Sequence, residues 1–185
     1  MPRKLLPRIQ ERPPDRLSAE EVAKLVALPE PYGFVIRFAL GTALRWSELC
    51  RAQASHVDAG QLVVSETKSG KLRRVPLSPD LFREVRGKVG LLLPFSSRSL
   101  SYVTRRIVDL SGVSRFHMHQ LRHTAACRWL ESGGSLEALQ EILGHGTIRM
   151  TQRYARLSAG HVLSEARRVW ANQGPLVADF CSNAV

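Results

Sequence analysis

The chain has 185 residues, carries 27 Lys and Arg against 16 Asp and Glu for a formal charge of +11, and is 44% hydrophobic and 23% charged. That length suits one domain with a buried core, and the composition excludes wholesale disorder. Arg37 interrupts the most apolar stretch, FVIRFAL, far short of the roughly 20 residues a membrane helix needs, so no membrane partner is expected. The cationic surplus points to a polyanion, because clustered Lys and Arg hold phosphates by releasing counterions; solubilising surface charge is the plainer alternative. Cys50, Cys127 and Cys181 show no CxxC spacing, which fits a reducing cytosol and argues against a disulfide framework or a thiolate zinc site. The N-terminal MPRKLLPRIQERPPD lacks an apolar stretch and does not read as a secretory signal.

Residues 1–17 set Pro2, Pro7, Pro13 and Pro14 among Arg3, Lys4, Arg8, Arg12 and Arg16, a composition that favours extended backbone and reads as an arm or linker. At Ser18 the sequence S-A-E-E forms a capping box and predicts a helix over 18–28 with Val22, Leu25 and Val26 inward, stopped by Pro29 and Pro31. Residues 32–40 are apolar nearly all round and read as a buried helix, and a further helix is expected over 47–54. QLVVSE at 61–66 and LRRVPL at 72–77 are β-branched runs about a Lys68-Ser69-Gly70-Lys71 turn, a hairpin signal. Helical text then covers 79–88, 98–110, 118–132, 135–143, 147–156 and 159–171, punctuated by Gly112, Gly133-Gly134 and Gly144. The fold expected is mainly α with a small antiparallel β-sheet (α+β).

Three histidines, His117, His119 and His123, crowd FHMHQLRHTAA. His119 and Arg122 share a helix face, as do His119 and His123. A His-x-x-x-His pair can chelate zinc, but the Glu a metalloprotease places after the first His is missing and no third ligand is evident, so no metal is expected. Alone, the segment reads as capping or core histidines.

It stands among others. GTALRWSEL at 41–49 carries Arg45, TKSGKLRRVPL at 67–77 carries Lys68, and LGHGTIRMTQRYARL at 143–157 places His145 nine residues before Tyr154. In this order the segments resemble the catalytic domain of the tyrosine recombinases, the phage integrase family, over roughly 17–157. The matching signatures are an Arg in an LRxSEL box, a hairpin Lys, an HxLRH box, an LGH box and a Tyr in TxxY. The resemblance implies Arg45, Lys68, His119, Arg122, His145 and Tyr154 as catalytic residues. Tyr154 is the implied nucleophile, and a phenol with a pKa near 10 needs a cationic pocket to gain phenolate character. Arg45 and Arg122 suit that pocket, since guanidinium forks match phosphate oxygens and stay charged. The family casts Lys68 as the acid for the leaving 5′ oxygen; His119 suits proton traffic with the tyrosine, and His145 donates to the scissile phosphate. Glu48, one turn after Arg45, suits the orienting of the cations. The scheme requires no cofactor.

The resemblance implies a site-specific recombinase that cleaves and rejoins double-stranded DNA through a 3′-phosphotyrosyl link, as a tetramer on two sites, in the cytoplasm or on a nucleoid. A type IB topoisomerase-like relaxation activity and a non-catalytic DNA-binding module are the alternatives. Arg73, Arg74, Arg105, Arg106, Arg149, Arg153 and Arg156 are candidate phosphate anchors, paired arginines being equally often solvated faces. Two departures stand out: Ala43 where the family usually has Gly, and Gln120 where it commonly has Asp. The N-terminal core-binding domain usual in the family has no counterpart before residue 17. Residues 158–185 predict a helix with Val162, Leu163, Ala166, Val169 and Trp170 on one stripe, docking either on a neighbouring protomer or on its own core.

Overall fold

A computed structural model describes residues 15–65 and 72–155. Helix α1 (Ala19–Val26) starts as expected: the Glu21 amide donates to Ser18 Oγ at 3.2 Å and the Ser18 amide to Glu21 Oε2 at 2.7 Å. Arg115 donates to the same carboxylate at 2.6 and 2.8 Å, which ties α1 to the segment before α6. That contact, with the Ser18 amide, holds the Glu21 carboxyl down to about 2.

Helix α2 (Tyr32–Thr42) is sunk in the core, with Phe34, Val35, Ile36, Phe38 and Ala39 all buried. Its one charge, Arg37, is neutralised by Glu30 and Glu84 rather than left bare. The helix ends at Ala43, which takes the left-handed conformation (φ 53°, ψ 23°) that glycine adopts without strain. The chain reverses there, and α3 (Trp46–Leu49) begins at once.

The helix expected over 47–54 is only this single turn. Beyond it the Leu92 amide donates to the Ala52 carbonyl and the Ala54 amide to the Gly90 carbonyl, each at 2.9 Å. Bridging to 90–92 in extended form outcompetes local helix propensity, which is a weak preference of a few tenths of a kcal/mol per residue. The hairpin is present as β2 (Gln61–Ser65) and β3 (Leu72–Pro76), paired antiparallel from Gln61↔Pro76 to Ser65↔Leu72. A two-residue strand, β1 (Val57–Asp58), pairs with β2 across an Ala59-Gly60 turn and makes the sheet order β1-β2-β3. Two residues carry no periodicity, so the sequence does not announce it.

Helices α4 (Pro79–Val85), α5 (Leu100–Ser111), α6 (Met118–Glu131), α7 (Leu136–Leu143) and α8 (Ile148–Ala155) follow, within three residues of expectation. Helix α6 packs on α2, and α7 packs on both β3 and α8, so sheet and C-terminal helices close over one core. The result is the expected mainly helical domain with a small antiparallel sheet. The turn at 66–71, the expected helix over 159–171 and the Pro-rich arm before residue 15 lie outside the described residues.

Candidate active site

Arg45 caps α3 in extended conformation (φ −70°, ψ 152°), and its own backbone amide donates to Glu48 Oε2 at 2.8 Å. Its guanidinium meets Glu48 Oε1 at 3.2 Å yet remains 41% exposed, so it is a cation presented to solvent from a fixed base. Glu48 is buried. Arg73 grips it from the other side with two donors at 2.9 and 3.1 Å and gives its Nε to the Ile142 carbonyl at 3.0 Å. Burial alone would raise the Glu48 carboxyl; the hydrogen bonds and charges of Arg73 and Arg45 outweigh it and leave the pKa below the ordinary value.

Arg73 therefore does not occupy the surface position of a phosphate anchor. It shares the inward face of β3 with Val75, is 9% exposed, and spends its fork on Glu48. A buried carboxylate requires such a partner.

Helix α6 carries three of the other groups. It opens with the His117 amide donating to Gln120 Oε1 at 2.9 Å, while Gln120 Nε2 donates to Asp15 at 2.9 Å, so the departure at position 120 is used to fasten the chain preceding α1. Arg122, 3% exposed, donates to the Ala43 carbonyl at 2.8 Å and the Leu143 carbonyl at 2.7 Å. Burial first, then the charge of Arg45, lowers its pKa to about 10, which leaves it cationic at neutral pH.

The end of α7 places His145. Gly144 turns the chain with φ 64°, and the last turn of α7 then holds His145 on both backbone sides: its amide donates to the Gln140 carbonyl, and Gln140 Nε2 donates to its carbonyl, each at 3.1 Å. His145 Nε2 lies 3.2 Å from Arg122 Nη2, and its Nδ1 lies 2.9 Å from Thr151 Oγ1. Guanidinium only donates, so Nε2 is the acceptor and Nδ1 bears the proton. Burial, then Arg122 and Arg45, lowers the His145 pKa to about 4, so the ring is neutral. In this state both ring nitrogens of His145, expected to donate to a phosphate, are engaged within the protein.

Tyr154 sits on α8 with its ring 6.5 Å from that of His145 and nearly parallel to it. It is 2% exposed, and its hydroxyl lies 2.8 Å from His123 Nδ1. Burial raises the phenol pKa against the opposing pull of Arg122 and Arg153. His119, the histidine expected at the tyrosine, stands edge-on to His123 with ring centroids 4.4 Å apart. Desolvation and the charge of Arg122 lower its pKa.

Arg45, Glu48, His119, Arg122, His145 and Tyr154 are thus drawn together from α3, α6, α8 and the turn after α7. Lys68 and Arg156 lie outside the described residues. Arg74, Arg105, Arg106, Arg149 and Arg153 are exposed, the last two four apart on α8. A groove of about 520 Å³ runs beside the site, with Arg74 and Arg73 on one wall and Gly144, His145 and Gly146 on the other. Two contacts were not read from the sequence, although Thr151 is the Thr of the TxxY box and His123 is one of the three crowded histidines. Thr151 had a signal, one helical turn before Tyr154 on the same face; the pairing of His123 with a residue 31 positions away had none. Among the described residues no cluster of three or more His, Cys, Asp or Glu is arranged to hold a metal ion.

A sequence model of the phage integrase family matches residues 92–161. The integrase of Haemophilus phage HP1 is 37% identical over 136 residues, covering 73% of this chain and 40% of that protein. The tyrosine recombinase XerA of Thermococcus kodakarensis is 30% identical over 178 residues, covering 84% of this chain and 63% of that protein. The chain therefore spans about half the length of these curated relatives. In structure, the catalytic domain of bacteriophage HP1 integrase superposes with a TM-score of 0.68 at 30% identity, covering 86% of this chain and 98% of that domain.

Proposed function

The chain belongs to the phage integrase family, and on that footing we propose that it is the catalytic unit of a tyrosine-type DNA strand transferase, a site-specific recombinase. The observation that carries the reading is the surrounding of one phenol, Tyr154, by Arg122, His145 and His123, with His119 edge-on beyond His123 and the exposed Arg45 acting electrostatically on Arg122 and His145. Tyr154 attacks a DNA phosphodiester, the P–Oη bond forms, and the 5′ oxygen leaves with a proton from Lys68. The 3′-phosphotyrosyl link conserves the bond energy, so a second 5′ hydroxyl reverses the step without a cofactor. Arg45 and Arg122 stabilise the charge that develops on the nonbridging oxygens, an effect generally worth several kcal/mol when preorganised. Exchange between two sites calls for four protomers on DNA.

The remaining exposed arginines follow the duplex on either side, and the protein works in the cytoplasm. No helix among the described residues is long and apolar enough to cross a membrane.

The test is a nicked suicide duplex incubated with the wild type and Tyr154→Phe. The wild type is expected to give a denaturation-resistant protein–DNA band and the variant none. Absence of the band with wild type at saturating protein and low salt overturns the proposal. Relaxation of supercoiled plasmid without exchange between paired sites would replace recombination by a topoisomerase activity.

A further inference from the structure

We propose that His123 accepts the Tyr154 proton during strand cleavage and returns it during rejoining. The inference rests on Tyr154 being the nucleophile. It departs from the sequence expectation, which gave the proton traffic to His119.

The geometry carries it. The one hydrogen bond found for the Tyr154 hydroxyl among the described residues goes to His123 Nδ1, at 2.8 Å. Both side chains are nearly sealed, at 2% and 7% exposure, so bulk water is a poor rival for the proton. In a neutral imidazole one nitrogen donates and the other accepts. With the phenol as donor, Nδ1 holds the free lone pair and Nε2 holds the proton. His123 follows Arg122 directly on α6, so one rigid helix fixes the proton acceptor and a phosphate-binding cation together.

The step balances without a further reactant. As the P–Oη bond forms and the P–O5′ bond breaks, the phenol proton moves to Nδ1, and the leaving 5′ oxygen takes a proton from the acid assigned to Lys68. In rejoining, an incoming 5′ hydroxyl attacks phosphorus, the phenolate leaves, and Nδ1 gives the proton back. The surroundings time this transfer. His119, Arg122 and His117 on or capping α6 and Arg153 on α8 face the ring, and burial together with these groups lowers the His123 pKa to about 4. An imidazolium is therefore disfavoured until anionic phosphates enter among the cations. The basicity of His123 rises when substrate arrives and is suppressed when the site is empty. Beyond His123, the more exposed His119 ring, edge-on with its centroid 4.4 Å away, is the outward neighbour rather than the group at the phenol.

Single-turnover covalent adduct formation on the suicide duplex, measured from pH 6 to 10, tests the assignment. His123→Asn keeps an acceptor near the phenol but cannot take a proton. It is expected to slow the adduct by about 100-fold or more at pH 7, the usual range for losing a general base, with the gap closing as hydroxide replaces the base at high pH. His123→Ala is expected to recover rate in proportion to added imidazole. A substrate with sulfur in place of the bridging 5′ oxygen, whose thiolate leaves unprotonated, is expected to rescue Lys68→Ala but not His123→Asn. A His123→Asn rate within threefold of wild type overturns the proposal, as does a deficit equal at every pH. If His123→Asn loses the wild-type thermal transition, imidazole and His123→Ala decide: rescue supports the assignment and its absence overturns it. Failure of the wild type itself to form the adduct would instead defeat the nucleophile reading.

Discussion

Replacing Arg73 by Ala should undermine the fold beneath the site rather than weaken DNA contacts. Among the described residues, the change leaves the Glu48 carboxylate, whose side chain is 5% exposed, with the Arg45 guanidinium at 3.2 Å and the Arg45 amide as its partners. Removing one member of a buried ion pair costs about 3–5 kcal/mol, because the remaining charge cannot rehydrate. The Ile142 carbonyl also loses its donor at 3.0 Å, worth about 1 kcal/mol more. For a domain of this size each kcal/mol moves Tm by about 2–4 °C, so a total of about 4–6 kcal/mol lowers Tm by roughly 8–24 °C. Circular dichroism of thermal and urea unfolding measures the loss. The double variant Arg73→Met with Glu48→Leu should recover most of it, since apolar replacement of a whole buried pair is often neutral. The reasoning is refuted if Arg73→Ala melts within about 1 °C of wild type while the slope of log affinity against log salt falls by about 0.9, the signature of one lost phosphate contact.

Acid should destabilise the domain early. His123 and His145 are held at about 4 by burial first and then by neighbouring charge, against an unfolded value near 6.5. Below pH 6.5 the unfolded chain takes up protons that the folded site refuses, so stability is complete above that pH and falls down to about 4, by up to about 3 kcal/mol for each histidine. Urea midpoints between pH 7.5 and 4 should show this fall, and His145→Asn should flatten it; a flat wild-type profile would remove the premise. Ala43→Val should cost at least about 2 kcal/mol in urea unfolding, because a β-branched residue is strained at φ 53° and the adjoining carbonyl holds Arg122, whereas Ala43→Gly should stay within about 1 kcal/mol. Equal stability of the two variants would mean the left-handed turn is not retained.

What the sequence disclosed was local. The Ser18 capping box, the glycine after α7 and the hairpin each depend on residues within a few positions, and all appear where their spacing places them. Where the boxes are described, they set Arg45 at the start of α3, His119 and Arg122 in the first turns of α6, His145 just after α7 and Tyr154 on α8. What it hid depended on pairing across the chain. Alternation along LRRVPL sets Arg73 and Val75 on one face, but only the inward-facing Glu48, from a helix 25 residues earlier, makes an inward arginine tolerable. The helix from 47 was cut short by the strand-like contact with 90–92, and the phenol met His123 because α8 packs across α6. The family's glycine before LR becomes intelligible only with the left-handed φ of Ala43 in view.

On the proposed reading, the charges account for a pocket that takes a phosphoryl group and is closed without one. Among the described residues, Arg45, Arg73 and Arg122 act on one another around the single carboxylate of Glu48, which leaves a surplus of two positive charges. A phosphodiester brings one negative charge, and moving the phenol proton to His123 adds none, so a bound phosphate lowers the surplus that the empty site leaves uncompensated. Until then Arg122 rests on two carbonyls and His145, and the phenol rests on His123. Admitting a phosphate to Tyr154 exposes part of its ring while the His123 hydrogen bond is kept, a cost of up to about 1.5–3 kcal/mol from apolar transfer. A ligand shifts such an equilibrium only by binding the open state better than the closed one. On the proposed reading DNA has the means, because its phosphate can take the donors of Arg122 from the carbonyls and offset the surplus of charge that adds to burial in keeping both imidazoles neutral. Polyanions that cannot present a phosphate between Arg45 and Arg122 should then bind the exposed arginines and leave Tyr154 buried.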